Sequence, residues 1–197
     1  MLIGIVNYGL AGNIYNIEKA LNKAGAKVKV IDHKDDFSHC EKIVIPGVGS
    51  FKDAIRELED KNLFNSIKNF NGDILGICLG MQILCEEGYE FGKNNGLGFF
   101  KAKVKVLEKR SILPHMGFKE VDFLEGDNLF KGLNKNSQFY FMHSYEVLSD
   151  NNILASATYE KRAFIAALKK DNVYGVQFHP EKSREQGIKL FKNFINL

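Results

Sequence analysis

The chain has 197 residues, enough for one well-cored domain and short for two. Its 45% hydrophobic and 26% charged residues exclude a disordered or low-complexity chain, and a net charge of +3 without a basic run interleaved with aromatics argues against nucleic acid as a partner. No apolar stretch approaches a membrane span, and Met1-Leu2-Ile3-Gly4-Ile5-Val6 has neither the basic lead nor the core length of a signal peptide, so a cytoplasmic protein that engages no membrane is expected. Three cysteines, Cys40, Cys78 and Cys85, sit at spacings unlike a disulfide framework or a zinc site, which points to reduced thiols and implies no metal.

In chain order, Leu2 to Val6 reads as a strand, and Asn13 is placed to cap a helix whose apolar positions Ile14, Ile17, Leu21 and Ala24 keep helical spacing up to Gly25. Ala26 to Ile31 is a second strand. Lys42 to Ile45 is a third, stopped by Pro46-Gly47-Val48-Gly49, after which Phe51 to Asp60 and Leu63 to Phe70 read as helices. Ile74 to Ile77 suit a buried strand and Leu79 to Glu87 a helix ending at Gly88. From Gly98 to Asp171 short β-like runs at Lys103 to Leu107, Glu120 to Phe123, Phe139 to Met142, Tyr145 to Leu148, Ile153 to Thr158 and Phe164 to Lys169 alternate with turn clusters. Val173 to Phe178 is the last strand, and Ser183-Arg184-Glu185-Gln186 reads as a capping box for a final helix through Asn196. This order predicts a single domain over 1–197, an α/β fold with an open, mostly parallel central sheet flanked by helices and an added β meander. Ligands bind beyond the carboxyl ends of such strands, so Asn7-Tyr8-Gly9, Pro46-Gly47-Val48-Gly49 and Cys78 are expected to share one crevice.

Cys78 lies at a strand-to-helix turn within Gly76-Ile77-Cys78-Leu79-Gly80. The spacing is that of a nucleophile elbow with sulfur in place of oxygen, where a tight turn pushes the central side chain outward. A helix N-terminus there would favour thiolate. A free cysteine in an apolar stretch is by itself more often a small buried hydrophobe, but such a residue does not need two flanking glycines.

A thiol nucleophile needs a base and a group to orient the base. Of five histidines, His33 and His39 lie in a charged stretch and read as surface residues. His115 reads as structural or indirect in role, and His143 as either a satisfied core histidine or a substrate-facing group. His179 is set apart by Pro180, which ends its strand and leaves the imidazole at the same sheet edge as Cys78, with Glu181 close enough to bond the far ring nitrogen.

Gly76-Ile77-Cys78-Leu79-Gly80-Met81-Gln82 followed by His179-Pro180-Glu181-Lys182-Ser183 resembles the triad signatures of class I glutamine amidotransferases. Asn7-Tyr8-Gly9 with Gly12-Asn13, Pro46-Gly47-Val48-Gly49-Ser50-Phe51, Pro114-His115-Met116-Gly117 and His143-Ser144-Tyr145 narrow the resemblance to the glutaminase subunits of imidazole glycerol phosphate synthases. The resemblance implies a flavodoxin-like sheet, Cys78 as nucleophile on glutamine, His179 as proton donor and Glu181 as its orienting group, with no cofactor. It implies an oxyanion site from backbone amides at Leu79 and around Val48 and Gly49, and glutamine binding by Gln82, His143, Ser144 and Tyr145. It also implies a (β/α)8-barrel cyclase partner that receives the ammonia, with Asn13, Tyr140 and Lys182 at the shared interface, and a glutaminase nearly idle until that partner is loaded.

One departure is visible: the family usually carries tryptophan and asparagine after Pro-His-Met-Gly, where this chain has Phe118 and Lys119 and no tryptophan at all. The triad is untouched, but the ammonia acceptor is opened to a second reading, a sugar-modifying synthetase in surface-glycan synthesis. Two other readings are a phosphate cradle at Gly9-Leu10-Ala11-Gly12-Asn13 and a thiol peptidase using the same triad.

Overall fold

The first-half strands are apolar at nearly every position because both their faces are covered. In the computed structural model, which describes residues 1–9, 13–107 and 112–197, β1 (Leu2–Val6), β2 (Lys27–Ile31), β3 (Lys42–Ile45) and β4 (Asp73–Ile77) pair in parallel. β3 shows the consequence of the two-residue side-chain period: Ile43 and Ile45 enter one hydrophobic core, while Val44 enters the other. α1 (Ile14–Ala24) and the C-terminal helix close the Val44 side; α2 (Phe51–Asp60) and α3 (Phe64–Lys68) close the opposite side.

The chain then departs from its predicted course. The expected helix from Leu79 to Glu87 lasts only for α4, Leu79–Ile83, and Cys85–Gly88 is a strand, β5. The carbonyls of Ile83, Leu84 and Cys85, which would accept the next helical bonds, instead accept from the amides of Leu97, of Phe99 and Phe100, and of Gly98. Tertiary pairing thus overrides local helix preference. Among the described residues a small sheet forms in the order β10-β7-β5-β6, with β6 at Asn94–Asn95, β7 at Phe100–Val106 and β10 at Tyr145–Leu148.

The meander continues the main sheet. β8 (His115–Phe123), β9 (Gln138–His143), β11 (Ile153–Tyr159), β12 (Arg162–Lys170) and β13 (Val173–Val176) complete the order β2-β1-β3-β4-β13-β12-β11-β8-β9. β13 joins β4 in parallel, and every pairing from β13 to β9 is antiparallel. α5 (Arg184–Ile195) buries Leu190, Phe191 and Phe194 against the α1 side.

Two expected caps are not formed. Ser183 does not cap α5; its hydroxyl donates to the His179 carbonyl at 2.6 Å and accepts from the Tyr140 amide at 2.9 Å. Asn13 stands at the N-cap position of α1, but its side chain is drawn to Glu181 and Asn16 instead. No helix among the described residues is long and apolar enough to cross a membrane.

Candidate active site

Parallel pairing of β4 with β13 sets Gly76 beside Gly175 and Ile77 beside Val176. The ladder runs one step further, the Cys78 amide donating to the Val176 carbonyl at 2.7 Å. Residues just beyond the two strands therefore emerge together at the carboxyl edge. This is how Cys78 and His179, distant in sequence, come to line one cavity.

Cys78 adopts φ 53°, ψ −109°, a left-handed conformation costly for a residue with a side chain, by about 1–3 kcal/mol. Close packing behind it holds the bend. A Cβ on Gly80 would lie 1.9 Å from the Ile45 carbonyl oxygen, and one on Gly47 2.4 Å from the Gly80 nitrogen. The two motifs thus need glycine for a mutual reason: the turn after β3 and the turn after β4 press backbone on backbone.

The His179 ring donates from Nδ1 to Glu181 Oε1 at 2.8 Å, and both side chains are closed to solvent. Asn13 Nδ2 donates to the same carboxylate oxygen. With Nδ1 so engaged, Nε2 is the atom left to address Cys78, and in the resting geometry it has no fully formed hydrogen bond. Burial disfavours the imidazolium, yet the charge of the Cys78 thiolate, a hydrogen-bonding pull from that sulfur and the Glu181 carboxylate outweigh it, and His179 is pushed up to about 10. The base is therefore protonated at neutral pH.

The cavity, about 210 Å³, is lined by Cys78, His179, Gly47-Val48-Gly49, Leu79, Gln82, Glu90, Pro114 and Met142-His143-Ser144-Tyr145. Every residue expected for catalysis, oxyanion binding or glutamine binding reaches it except Glu181, which stands behind His179. The volume falls below the roughly 300–1,000 Å³ of drug-sized sites and suits a single amino acid better than a peptide. Tyr8 contributes from behind: its buried hydroxyl donates to the Pro46 carbonyl at 2.6 Å and anchors the start of the Gly47-Val48-Gly49 turn. Asn7 and Gly9 do not join the crevice, because the Asn7 side chain is spent on Asp32 at 2.8 Å and on the Gly9 amide at 3.2 Å.

His143 meets two partners whose chemistry fixes the protons. A carbonyl only accepts, so Nδ1 of His143 donates to Tyr145 O at 2.8 Å. Burial holds His143 down to about 4, so its Nε2 is bare and accepts from His115 Nδ1 at 3.0 Å. His115, fully buried and stacked on Tyr159 with ring centroids 4.1 Å apart, is also lowered to about 4, by burial first and Lys119 second. It supports His143 indirectly. His33 and His39 are exposed, as their charged surroundings indicate.

Asn13, Tyr140 and Lys182 gather on the far side of the His179–Glu181 pair. The Tyr140 carbonyl accepts from the His179 amide at 2.8 Å, and the Lys182 ammonium lies 5.6 Å from the Tyr140 ring centroid. Phe118 packs edge-on against Tyr140 at 5.4 Å under the Arg184 guanidinium at 4.8 Å, and Lys119 lies 5.8 Å from the Tyr159 ring. The phosphate-cradle reading rests on Leu10, Ala11 and Gly12, which lie outside the described residues.

Tyr8, expected in the crevice, acts on it from behind, whereas Glu90 and Gln177 escape the sequence reading. Gln177 alone left a signal: two positions before His179 on an extended segment, it faces the same side of the sheet.

Such a site, a thiol on a strained bend facing a protonated imidazole across a cavity for one amino acid, is suited to thiol-dependent amide hydrolysis on an α/β scaffold. The family described as "Glutamine amidotransferase class-I" matches residues 5–197, and the chain belongs to it. It is 39% identical, with both chains fully covered, to "Imidazole glycerol phosphate synthase subunit HisH 1" of Campylobacter jejuni, and 41% identical over equally full length to the subunit HisH of Methanocaldococcus jannaschii. Among solved structures it resembles one titled "Crystal structure of glutamine amidotransferase" with a TM-score of 0.76 at 16% identity, covering 98% of this chain and 97% of that one. It also resembles PurLQS from Thermotoga maritima, with a TM-score of 0.72 at 20% identity and 99% and 97% covered.

Proposed function

We propose that this chain is the glutamine-hydrolysing subunit of an imidazole glycerol phosphate synthase in histidine biosynthesis, working in the cytoplasm as a heterodimer with a (β/α)8-barrel cyclase. The observation that carries the reading is the His179–Glu181 pair at 2.8 Å sharing one sheet edge with Cys78. Full-length relatives named for this synthase support it over a sugar-modifying acceptor.

In the proposed mechanism the Cys78 thiolate attacks the side-chain amide carbon of glutamine. The resulting oxyanion is received by backbone amides of Leu79 and of the Val48-Gly49 turn, which need no reorganisation if they already point at the developing charge. His179 gives its proton to the amine as the carbon–nitrogen bond breaks, releasing ammonia and leaving a thioester. Water then attacks the thioester, His179 takes its proton, and glutamate leaves as the thiolate is regenerated. Glu181 holds the ring in the orientation that aims Nε2 at this exchange. Gln82, Ser144 and Tyr145 hold the substrate, His143 lines the cavity beside them with both ring nitrogens engaged by Tyr145 and His115, and Glu90 supplies the negative charge that the substrate's α-ammonium requires. Asn13, Tyr140 and Lys182 face the cyclase, into which the ammonia passes.

The test is to co-purify the chain with candidate barrel partners and follow glutamate release. Glutamine hydrolysis is expected to be slow in the isolated chain and to rise at least tenfold when the cyclase and its phosphoribulosyl substrate are both present. Fast hydrolysis by the chain alone, or activation only by a sugar-modifying partner, contradicts the proposal.

A further inference from the structure

The helix after Cys78 is a single short turn-and-a-half, α4, and cannot supply the dipole of a long helix to a thiolate. The sulfur's surroundings offer another donor. Gln177 follows β13 directly, its amide bonded to the Ala166 carbonyl at 2.9 Å, and its side chain is completely buried. Nε2 of that side chain lies 3.5 Å from Cys78 Sγ.

The direction of this contact follows from a chain of hydrogen bonds that begins at an atom with only one role. The Tyr145 carbonyl accepts, so the group 3.2 Å away on Gln82 is its NH2. The same NH2 lies 3.0 Å from the Gln177 side chain, whose facing atom must then be its carbonyl oxygen. Gln177 is thereby oriented with its own NH2 toward the sulfur. Besides the His179 imidazole, the polar groups at Sγ are this amide and the Met142 carbonyl at 3.8 Å, which accepts from a thiol and repels a thiolate. The two neighbours favour opposite protonation states. The Gln177 contact is the shorter, and it strengthens with charge.

We propose that Gln177 is a catalytic residue whose side-chain amide, locked in orientation by Gln82 and the Tyr145 carbonyl, donates to the Cys78 thiolate and holds it toward the cavity. The proposal rests on Cys78 being the nucleophile of the function proposed above. It assigns to the residue two places before the base a direct contact with the reacting atom. Because Gln82 and Tyr145 also line the glutamine cavity, the same chain ties the aim of the sulfur to the wall of the substrate site. Titratable groups facing or influencing the sulfur are His179 and Tyr8, with His143, Tyr145 and Glu90 around the cavity.

The test reads the thiol without glutamine or partner. The rate at which iodoacetamide alkylates Cys78, the sulfur displacing iodide, is followed against pH by peptide mass spectrometry in the wild type, in Gln177→Met, which keeps the shape without a donor, and in Gln177→Glu. The alkylation midpoint is expected to move up by about one pH unit in Gln177→Met, roughly a tenfold loss of thiolate at pH values below it, and further in Gln177→Glu. Midpoints unchanged in both variants, with unfolding temperatures like the wild type, would overturn the proposal. Should the variants fail to fold, the wild type decides. The side-chain amide resonances of Gln177 are expected to titrate in step with Cys78 and to lose that step in Cys78→Ser, and resonances indifferent to the thiol's titration contradict the contact. Partner-activated glutaminase with a flat Gln177 response removes this inference alone, whereas a shifted midpoint without any glutaminase removes the proposed function and leaves the contact standing.

Discussion

The charge of His179 is set largely by what faces it. The imidazole is pushed up to about 10 chiefly because a thiolate faces it, against the opposing effect of burial. A base whose folded value lies above its ordinary 6.5 contributes stability that is complete below pH 6.5 and is lost as pH rises through about 10. Cys78→Ala removes the partner charge, so the His179 resonance is expected to titrate at least one pH unit lower. The variant is also expected to lose less stability than the wild type between pH 6.5 and 10. A His179 titration that does not move on this substitution would contradict the ion-pair account. The other thiols stay out of this chemistry. Burial pushes the Cys85 thiol well up, and it also raises half-buried Cys40 despite the opposing charge of Lys29.

At the scale of elements, β8 and β9 carry the buried His115–His143 pair between the cavity and an aromatic cluster. Both rings are held to about 4, below their ordinary 6.5, so their neutral forms contribute stability above pH 6.5 that is lost as pH falls toward 4. A loss of about 1–3 kcal/mol is expected across that window, and His115→Phe should flatten it; an acid limb identical in the variant would contradict the assignment. These elements also mark what the sequence could reveal. The parallel half was legible because full burial writes continuous apolar runs, and the gathering of Cys78, His179 and Glu181 because Gly80 and Pro180 leave local traces of a bend and a strand end. The truncation of α4 was not legible, because the amides that capture its last carbonyls come from residues 97–100 and nothing in Leu79 to Glu87 announces them. Ser183 misled for a related reason: its hydroxyl satisfies β9 and the His179 carbonyl, partners that only the assembled sheet brings near. Gln177 acts on Cys78, which approaches only once β13 lies beside β4, and Tyr8 on Pro46, which approaches only once β1 lies beside β3.

In the whole molecule, one sheet edge collects Cys78, His179, the Gly47-Val48-Gly49 turn and the Met142-His143-Ser144-Tyr145 wall around one cavity, while Asn13, Tyr140 and Lys182 stand directly behind His179. A partner seated on that group would press on Glu181 and His179 through contacts of one residue's depth, which is a short physical route from partner binding to catalytic alignment. The account depends most on Cys78 being the atom that attacks glutamine. The direct measurement is to treat the chain, together with the cyclase proposed as its partner, with a glutamine-analogue electrophile such as 6-diazo-5-oxo-L-norleucine and locate the adduct by mass spectrometry. The account predicts one adduct, on Cys78, formed with loss of glutaminase activity and slowed by excess glutamine. An unmodified Cys78, with label on Cys40 or Cys85, would contradict it.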